Sequence, residues 1–206
     1  MKISIITVCF NSGATIETNI QSVLSQDYPD IEYIMIDGKS SDNTFEVISK
    51  YKKNIATIIS EKDEGIYFAL NKGIALATGD VIGILHADDF YTDKKKISRI
   101  ADEFIQKKVD SIYGDLQYVY KDNASKVLRS WKSGIYKHGL FLRGWMPPHP
   151  TFFVKKSVYE KLGAFNTQLK SASDYELMLR FLHKHKISVS YIPEVLVKMR
   201  AGGKSN

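Results

Sequence analysis

The sequence contains one cysteine and no long hydrophobic run. Cys9 alone cannot form an intramolecular disulfide, and the lack of further thiols excludes a cysteine-rich metal site. No apolar stretch approaches the roughly 20 residues that a transmembrane helix needs. The apolar part of the opening segment MKISIITVCF is too short and too strand-like for a signal peptide. These absences predict a cytoplasmic protein.

A glycine-rich phosphate-binding motif is also missing. Neither a P-loop nor a GxGxxG pattern follows the first strand-like segment, where Asn11-Ser12-Gly13 stands instead. This argues against a P-loop NTPase and against a usual dinucleotide site. The 206 residues, 44% of them hydrophobic and 25% charged, are enough for one sizeable domain. The net charge of +6 favours anionic partners such as nucleotides, nucleic acid or an anionic membrane face.

Strand-like and helix-like segments alternate through the first half of the chain. Runs of β-branched and apolar residues predict strands buried on both faces, and apolar residues at helical spacing predict the helices between them. The predicted segments are strand 2–10, helix 14–26, strand 31–36, helix 44–52, strand 55–59, helix 66–77, strand 81–85 and helix 94–107. This alternation predicts an α/β fold with a mostly parallel sheet and helices on both faces.

The pattern changes at about residue 111. Short strand-like pieces, a hairpin around Asp122-Asn123 and two helices predict a mixed α+β region that packs onto the first half. The segments SVSYIP and VLVKM are predicted as two separate strands, and the helices as 157–162 and 175–185. Few turn signals indicate an independent linker. We therefore expect a single domain over residues 1–206, with one half at 1–110 and the other at 111–206.

Three predicted strand ends carry polar clusters that a right-handed βαβ arrangement brings to one edge of the sheet. They are Asn11-Ser12, Asp37-Gly38-Lys39 and His86-Ala87-Asp88-Asp89. Ligands of open α/β sheets bind at this edge. Unpaired buried carboxylates are unfavourable, so the last cluster indicates a helix cap, an exposed loop or a cation. Mg²⁺ and Mn²⁺ prefer carboxylate oxygens that they share with substrate phosphates, which favours a divalent cation with a nucleotide.

Two other residues near this edge have two interpretations each. Asp37 either points into the cleft or belongs to the chemistry of the turn that follows it. Lys72 either meets a diphosphate as a point charge or is a solvated lysine. It stands beside Gly73 in the middle of a predicted helix, where a glycine lowers helix stability. Close packing or a ligand must therefore account for the glycine.

The motifs resemble, in order, those of the inverting nucleotide-sugar transferases of glycosyltransferase family 2. The similar stretches are ITVCFNSGATIETNIQSVLSQDYPDIEYIMIDGKSSDNT, DEGIY, NKGIALATGD, GILHADDFY, PHPTFFVKKSVYEKLGAFN and SDYELMLRF, and the resemblance extends over nearly the whole chain. The resemblance implies a GT-A fold, in which a Rossmann-like nucleotide-binding half is merged with a mixed α+β acceptor-binding half. It also implies a nucleotide-sugar donor that is usually UDP-linked, and a divalent cation, Mn or Mg.

The resemblance assigns roles to residues of the nucleotide-binding half. Thr7 and Phe10, with the neighbouring Asn11, match the loop that holds the base and ribose, and Asp37 matches the aspartate that meets the uracil ring. Asp63 and Lys72 fall in the segment beside the nucleotide. The remaining assignments are Asp88 and Asp89 in the DxD-type motif, one for the ribose and the other for the metal, with Asp89 expected at the metal.

Asp174 matches the aspartate of the family's Glu-Asp motif, which is the catalytic base. Ser173 replaces the glutamate of that motif, and His86 stands where many relatives carry Asp or Asn. The alternative for Asp174 is a helix cap, since a helix is predicted to begin at Tyr175. A carboxylate within hydrogen-bond reach of an acceptor hydroxyl can remove its proton as the oxygen attacks the anomeric carbon. The resemblance therefore implies an inverting glycosyltransferase.

The acceptor side is represented by the segment GWMPPHP. Trp145 is expected to stack on a sugar ring and His149 to bind its hydroxyls, with a packed, proline-stiffened loop as the alternative. The implied acceptor is a saccharide or lipid-linked saccharide of surface polysaccharide synthesis. The surplus of 29 basic over 23 acidic residues fits an enzyme that visits the inner face of the plasma membrane peripherally.

Two other classes of protein fit parts of the sequence. A nucleotidyltransferase acting on sugar phosphates would also use strand-end aspartates and a divalent cation, but it usually has a basic, glycine-rich loop after the first strand. A nucleic-acid binder would cluster basic and aromatic residues on one face. Here the basic runs at 52–53, 94–96 and 107–108 stand at solvated helix positions, so no nucleic acid is expected.

Overall fold

A nine-stranded mixed sheet runs through the protein, whose computed structural model describes residues 1–202. The strands are β1 (Ile3–Cys9), β2 (Ile31–Asp37), β3 (Thr57–Ser60), β4 (Val81–Ile84), β5 (Asp89–Tyr91), β6 (Ser111–Val119), β7 (Val127–Trp131), β8 (Phe153–Lys155) and β9 (Val189–Arg200). The helices are α1 (Ile16–Leu24), α2 (Thr44–Lys50), α3 (Ile66–Leu76), α4 (Lys96–Lys107), α5 (Lys156–Leu162) and α6 (Ser173–Met178).

The first half forms the parallel part of the sheet, in the order β3-β2-β1-β4. All seven residues of β1 are buried, because helices cover both faces. Side chains of α1, α2 and α4 pack in one hydrophobic cluster, and those of α3, α5 and α6 pack in a second one. The α/β fold with helices on both faces, predicted from the alternation, is therefore confirmed.

Close packing accounts for Gly73 in the middle of α3. A Cβ atom at this position would lie 2.5 Å from Cγ2 of Ile6 in β1, nearer than real Cβ atoms approach. The glycine therefore lets α3 sit directly on the central strand. Of the two explanations predicted for it, packing is the one that the contacts support.

The second half continues the same sheet beyond β4. β8 pairs with β4 in antiparallel orientation, and the order then runs β8-β6-β9-β5, with β7 attached to β6 as the predicted hairpin. The prediction of two strands near the end of the chain was wrong, because β9 is continuous over twelve residues. The pairing of β6 with β9 shifts register between Tyr113 and Asp115 of β6. Pro193 of β9 lies at this shift, where its missing N–H removes no hydrogen bond between the strands.

Two more elements differ from the sequence expectation. The three-residue strand β5, which begins at Asp89, was not predicted, and it pairs with the end of β9. The predicted helix 175–185 is α6 followed by a π-helical stretch, Leu179–Lys184. Within residues 1–202, no helix is both long enough and apolar enough to cross a membrane.

Candidate active site

Residues from both halves meet at the carboxyl end of the parallel strands. The loop after β4 carries His86 and Asp88, and α6 of the second half carries Asp174. The ring of His86 lies 5.7 Å from that of His149, measured between centroids. The charge of Asp174 acts on the pKa of both imidazoles, and the charge of Asp88 acts on that of His86. These four side chains therefore form one cluster, which we call the strand-end cluster.

Asp88 and Asp89 lie in very different surroundings although they are adjacent. Asp88 is half-buried, whereas Asp89 is completely buried. Neither carboxylate oxygen of Asp89 has a hydrogen-bond partner among the described residues. Burial, and then the charge of Asp88, raise the pKa of Asp89 well above its usual value, while Arg200 acts in the opposite direction. Asp88 is therefore the more accessible carboxylate of the pair, and the expectation that Asp89 reaches the metal stays a prediction.

A buried network beneath this loop holds the backbone on both sides of Asp88. Asn19 Nδ2 donates to the backbone oxygens of His86 and Asp89, at 2.8 and 3.0 Å. Asn19 Oδ1 accepts a hydrogen bond from the Tyr33 hydroxyl at 2.6 Å. Thr7 Oγ1 donates to the Leu85 oxygen at 2.8 Å. Asn19 was missed by the sequence analysis, although a lone amide on the apolar face of α1 is a signal that could have indicated it.

Thr7 and Asp37 do not reach the surface of the site. Thr7 is fully buried in the network just described, which argues against the predicted contact with the nucleotide. Asp37 is also fully buried, and its carboxylate accepts hydrogen bonds of 2.5 Å from the hydroxyls of Ser40 and Ser60. These bonds correspond to the turn chemistry that was the alternative for Asp37. Its contact with a nucleobase stays a prediction that requires the Ser40 turn to open.

Phe10 and Asn11 lie at the mouth of the site. The Phe10 ring is 61% exposed, which is unusual for a phenylalanine that directly follows a buried strand. Asn11 adopts a positive φ of 49°, and its side-chain oxygen accepts a hydrogen bond from the Ser41 backbone N–H at 2.9 Å. Asn11 thereby ties the loop after β1 to the loop after β2. The exposed Phe10 ring is free to stack against a planar ligand.

Lys72 is held by two acidic side chains. Its ammonium lies 2.6 Å from a carboxylate oxygen of Asp63 and 2.6 Å from one of Glu61. Hydrogen bonds to Asp63, and then to Glu61, raise the pKa of Lys72. The second oxygen of Asp63 is buried and has no partner within residues 1–202. The two carboxylates compensate the lysine charge, and the third N–H of the ammonium is left for another acceptor such as a phosphate oxygen.

Asp174 lies half-buried in the first turn of α6, next to the hydroxyl of Tyr67. The Tyr67 oxygen accepts a hydrogen bond from the Ser173 backbone N–H at 3.1 Å. Burial, and then the charge of Asp174, raise the pKa of Tyr67, so its hydroxyl keeps its proton. No role was predicted for Tyr67 beyond its place in the DEGIY motif. The helix begins after Ala172, which has a positive φ of 61°.

His86 and His149 are both uncharged at neutral pH. Burial lowers the pKa of His86, although Asp88 and Asp174 act in the opposite direction. Burial, and then the nearby His86, lower the pKa of His149. Neutral imidazoles can accept a hydrogen bond or bind a metal through one nitrogen. The position of His149 in the strand-end cluster is compatible with its predicted contact with a sugar.

Trp145 is engaged inside the protein rather than open to a sugar. Its ring stacks on Tyr136 at 5.3 Å and meets Tyr113 and Phe141 edge-on, at 5.8 and 5.5 Å. Its indole N–H donates to the Ser133 oxygen at 2.9 Å. The aromatic neighbours occupy the ring, so the prediction that Trp145 stacks on the acceptor is not supported. The alternative of a packed, proline-stiffened loop describes this segment.

The strand-end cluster fits a divalent cation only if the substrate supplies some of the ligands of the cation. Among the described residues, no three His, Cys, Asp or Glu side chains converge to hold a metal ion by themselves. Mg²⁺ and Mn²⁺ at nucleotide sites need only one or two carboxylates, because phosphate oxygens and water complete their coordination. Asp88 has an accessible carboxylate of this kind. The donor set therefore fits a cation that arrives with a diphosphate.

Comparison with known proteins identifies the family. The profile of glycosyl transferase family 2 matches residues 4–163. The chain belongs to glycosyltransferase family 2. It is 26% identical, over 98% of its length and 78% of the relative's, to a "PGL/p-HBAD biosynthesis glycosyltransferase" of Mycobacterium bovis. It is 28% identical to the poly-beta-1,6-N-acetyl-D-glucosamine synthase of Staphylococcus epidermidis, over 96% of this chain and 49% of the synthase. The nucleotidyltransferase alternative is thereby set aside.

Solved structures of glycosyltransferases share the fold. S. aureus TarS 1–349 in complex with UDP-GlcNAc superposes with a TM-score of 0.78 at 18% identity, over 98% of this chain and 59% of that one. The mannosyltransferase PcManGT from Pyrobaculum calidifontis, in complex with GDP-Man and Mn2+, superposes with a TM-score of 0.73 at 17% identity, over 98% of this chain and 58% of that one. Family 2 membership and the GT-A fold implied by the sequence motifs are therefore confirmed. This glycosyltransferase spans about three fifths of these solved chains.

Proposed function

We propose that this family 2 enzyme transfers a sugar from a UDP-linked donor to a hydroxyl of a saccharide or lipid-linked saccharide, with inversion at the anomeric carbon. The observation that carries the proposal is the strand-end cluster, in which Asp88 and Asp174 flank His86. One carboxylate is available on the donor side and another on the acceptor side of the same small region. A single displacement requires this division of roles.

Asp174 acts as the general base. Its carboxylate is half-buried, so it remains accessible to an acceptor hydroxyl. The Tyr67 hydroxyl beside it keeps its proton and limits the orientations of the carboxylate. The acceptor oxygen gives its proton to Asp174 as it forms a bond to the anomeric carbon. The bond from that carbon to the diphosphate breaks in the same step, and the nucleoside diphosphate leaves.

The donor lies over the carboxyl end of the parallel strands. Phe10 stacks on the nucleobase, and Asn11 keeps the loop of Phe10 in place. A divalent cation, Mn or Mg, held by Asp88 would neutralise the charge that gathers on the leaving diphosphate. A UDP-linked hexose or N-acetylhexosamine is the donor we favour, since the TarS structure contains UDP-GlcNAc. PcManGT contains GDP-Man, which makes a GDP-sugar the comparison to test.

The acceptor approaches from the second half, where His149 closes the cluster. Residues 1–110 thus hold the donor and residues 111–206 the acceptor. The similarity to a poly-beta-1,6-N-acetyl-D-glucosamine synthase supports a saccharide acceptor in surface polysaccharide synthesis. A lipid-linked acceptor would bring the enzyme to the inner face of the plasma membrane as a peripheral protein.

A donor screen with one active-site variant tests the proposal. Calorimetric titration of UDP, GDP and dTDP with Mn²⁺ present should give binding of UDP. Asp174→Asn should leave UDP affinity within about twofold and lower turnover of the donor that binds by roughly 10²- to 10⁴-fold, the range of a general base. The exposed Asp102→Asn on α4 is the matched control and should behave as wild type.

Two outcomes would contradict the proposal. Absence of binding by every nucleotide would remove the donor assignment. Normal turnover by Asp174→Asn would remove the base assignment while leaving donor binding intact. Because binding and turnover are measured separately, the two assignments can fail independently.

A further inference from the structure

The surplus positive charge of the chain comes from one segment. Residues 123–159 contain seven Lys and Arg and no Asp or Glu, whereas the rest of the chain contains 22 basic and 23 acidic residues. The remainder is therefore almost neutral. Attraction to an anionic partner is therefore expected where this segment reaches the surface.

The part of this segment after β7 forms a loop that is held by hydrogen bonds and aromatic contacts to the protein interior. We call residues 132–143 the basic loop. The Ser133 N–H donates to Asp115 Oδ1 at 2.8 Å, and the Tyr136 N–H donates to the Tyr113 hydroxyl at 2.7 Å. The rings of Tyr136 and Phe141 pack against Trp145. Because its aromatic side chains hold it down, the loop presents its other side chains in a fixed arrangement.

Two aliphatic side chains of the basic loop point into solvent. Ile135 is 73% exposed and Leu142 is 76% exposed, which are the highest values for large hydrophobic residues within 1–202. Lys132, Lys137 and Arg143 of the same loop are also exposed. None of these three forms an ion pair with another described residue. The loop thus combines exposed aliphatic groups with uncompensated cations.

We propose that the basic loop is the surface with which this enzyme rests on an anionic lipid bilayer. Ile135 and Leu142 enter the headgroup region, and Lys132, Lys137 and Arg143 bind lipid phosphates. Aliphatic side chains flanked by cations match the two components of interfacial binding, which are apolar burial and attraction to anionic lipids. A soluble anionic polymer would engage the cations but leave both aliphatic side chains in water.

The basic loop lies next to the acceptor side of the candidate site, so its contact with a bilayer would serve catalysis. This step rests on the proposed function. The Phe141 backbone oxygen accepts a hydrogen bond from the Tyr175 hydroxyl at 2.8 Å, and the two rings lie 5.6 Å apart. Tyr175 directly follows the proposed base Asp174. Binding of the loop to a bilayer therefore brings the acceptor side of the site close to the membrane surface, where a lipid-linked sugar is presented.

Flotation with vesicles tests the inference without any glycosyl transfer. The protein should float with vesicles of phosphatidylcholine and phosphatidylglycerol and not with phosphatidylcholine alone. Substituting Gln at Lys132, Lys137 and Arg143 should lower the partition coefficient by roughly a hundredfold, since each cation contributes about fivefold. The pair Ile135→Ser and Leu142→Ser should lower it about tenfold.

Matched controls separate the loop from general charge and hydrophobicity. Gln at Lys50, Lys52 and Lys53 removes the same charge from an exposed site on and after α2, and Phe45→Ser with Ile105→Ser removes two exposed apolar side chains elsewhere. Both controls should partition within about threefold of wild type. UDP titration of each preparation reports on the donor site, so loss of vesicle binding with intact UDP binding concerns the loop alone.

Three results would overturn the inference. The first is failure of the wild type to float with anionic vesicles while UDP still binds. The second is an equal loss in the loop variants and the controls. The third is occupation of the loop by something else, seen as a dimer in light scattering that Ile135→Ser and Leu142→Ser dissociate, or as binding of a soluble polyanion in place of vesicles.

Discussion

At the amino end of the parallel strands the Glu32 carboxylate is surrounded by donors, whereas at the carboxyl end the Asp89 carboxylate has none. Glu32 accepts hydrogen bonds from the Ser4 hydroxyl at 2.5 Å and from the hydroxyl and N–H of Thr78 at 2.5 and 2.7 Å. The Lys2 ammonium lies 3.0 Å away. Both carboxylates are buried in the same sheet, but only the first is stabilised by its surroundings.

The difference separates a structural carboxylate from a carboxylate of the candidate site. Burial acts to raise the pKa of Glu32, but the hydrogen bonds from Ser4, Thr78 and Lys2 prevail and lower it to about 2. At Asp89 burial prevails and raises the pKa. A satisfied carboxylate supports folding, while unsatisfied polar groups persist where a ligand or a mechanism needs them. Asp88, which is only half-buried, is the neighbouring carboxylate that a ligand can reach.

The largest expected effect is on activity, at the carboxyl end. Asp88→Asn should lower glycosyl transfer by roughly a thousandfold, because the proposed cation loses its carboxylate. The melting temperature should change little, since the Asp88 side chain is half-buried and the loop is held through backbone oxygens. Turnover against Mn²⁺ concentration measures the first quantity, and calorimetry the second. An unchanged turnover would mean that Asp88 does not hold the cation.

Replacing Glu32 should have the opposite pattern. Glu32→Leu leaves the Thr78 N–H, the Ser4 hydroxyl and the Lys2 ammonium without their acceptor. Breaking a buried charge pair in this way should destabilise the protein by about 3 kcal/mol. Transfer by the folded fraction should stay within about twofold of wild type, because Glu32 lies at the far end of the sheet. Urea unfolding and initial rates at low temperature measure the two effects, and a large loss of activity per folded molecule would break the comparison.

The titration of Glu32 should also appear in the pH dependence of the free energy of unfolding. The folded pKa of Glu32, about 2, lies below its ordinary value of 4.5. Its contribution is therefore complete above pH 4.5 and is lost as the pH falls toward 2, up to about 3 kcal/mol. The lowered pKa values of His86 and His149 also favour the neutral forms, so stability begins to fall below about pH 6.5.

Denaturant melts of wild type and Glu32→Gln across this range would isolate the contribution of Glu32. The free energy of unfolding of the variant should depend less steeply on pH between 4.5 and 2 than that of the wild type. Its decline between pH 6.5 and 4.5 should match that of the wild type. Parallel curves over the whole range would show that Glu32 does not titrate as its hydrogen bonds imply.

The smallest effect is expected at Asp89. Asp89→Asn keeps the shape of the side chain and removes an ionisable group whose charged form is disfavoured by burial, so stability should rise by about 1 kcal/mol. Transfer should fall less than tenfold. A thousandfold loss, equal to that of Asp88→Asn, would instead support the sequence expectation that Asp89 binds the metal. Comparing the two neighbouring variants in one assay therefore sharpens the assignment directly.

The parallel half of the fold was predictable because its signals are local. Each strand between 3 and 85 is a short apolar run, and each helix has apolar residues at a spacing of three and four, so the order of elements follows from the sequence. The strand β5 has only three residues and owes its existence to β9, 110 positions later. No local pattern encodes that pairing. The continuous β9 escaped for the same reason, since Pro193 indicates a break unless the register shift in β6 is known.

The candidate site was predictable as a location and less so residue by residue. The polar strand ends indicated the edge of the sheet at which these side chains cluster. The turn closed by the bond from the Asp89 N–H to the His86 oxygen, in which Asp88 and Asp89 differ in exposure, has no signal in the sequence. The family resemblance assigned Thr7 and Asp37 to the nucleotide, and in the structure both side chains bond to neighbouring loops. Trp145 packs against the basic loop.

The pairing of β5 with β9 has a consequence for how the protein forms during synthesis. Met199 of β9 pairs with Asp89 of β5. The Arg200 guanidinium donates to the backbone oxygen of Asp88 at 2.9 Å and lies over the Phe90 ring. The ribosome must therefore release residues up to about 200 before the aspartate loop has its neighbours. The parallel strands can assemble earlier, since their partners are all within the first 84 residues. A nascent chain would thus acquire the parallel part of its sheet well before the loop of Asp88 and Asp89 has its neighbours.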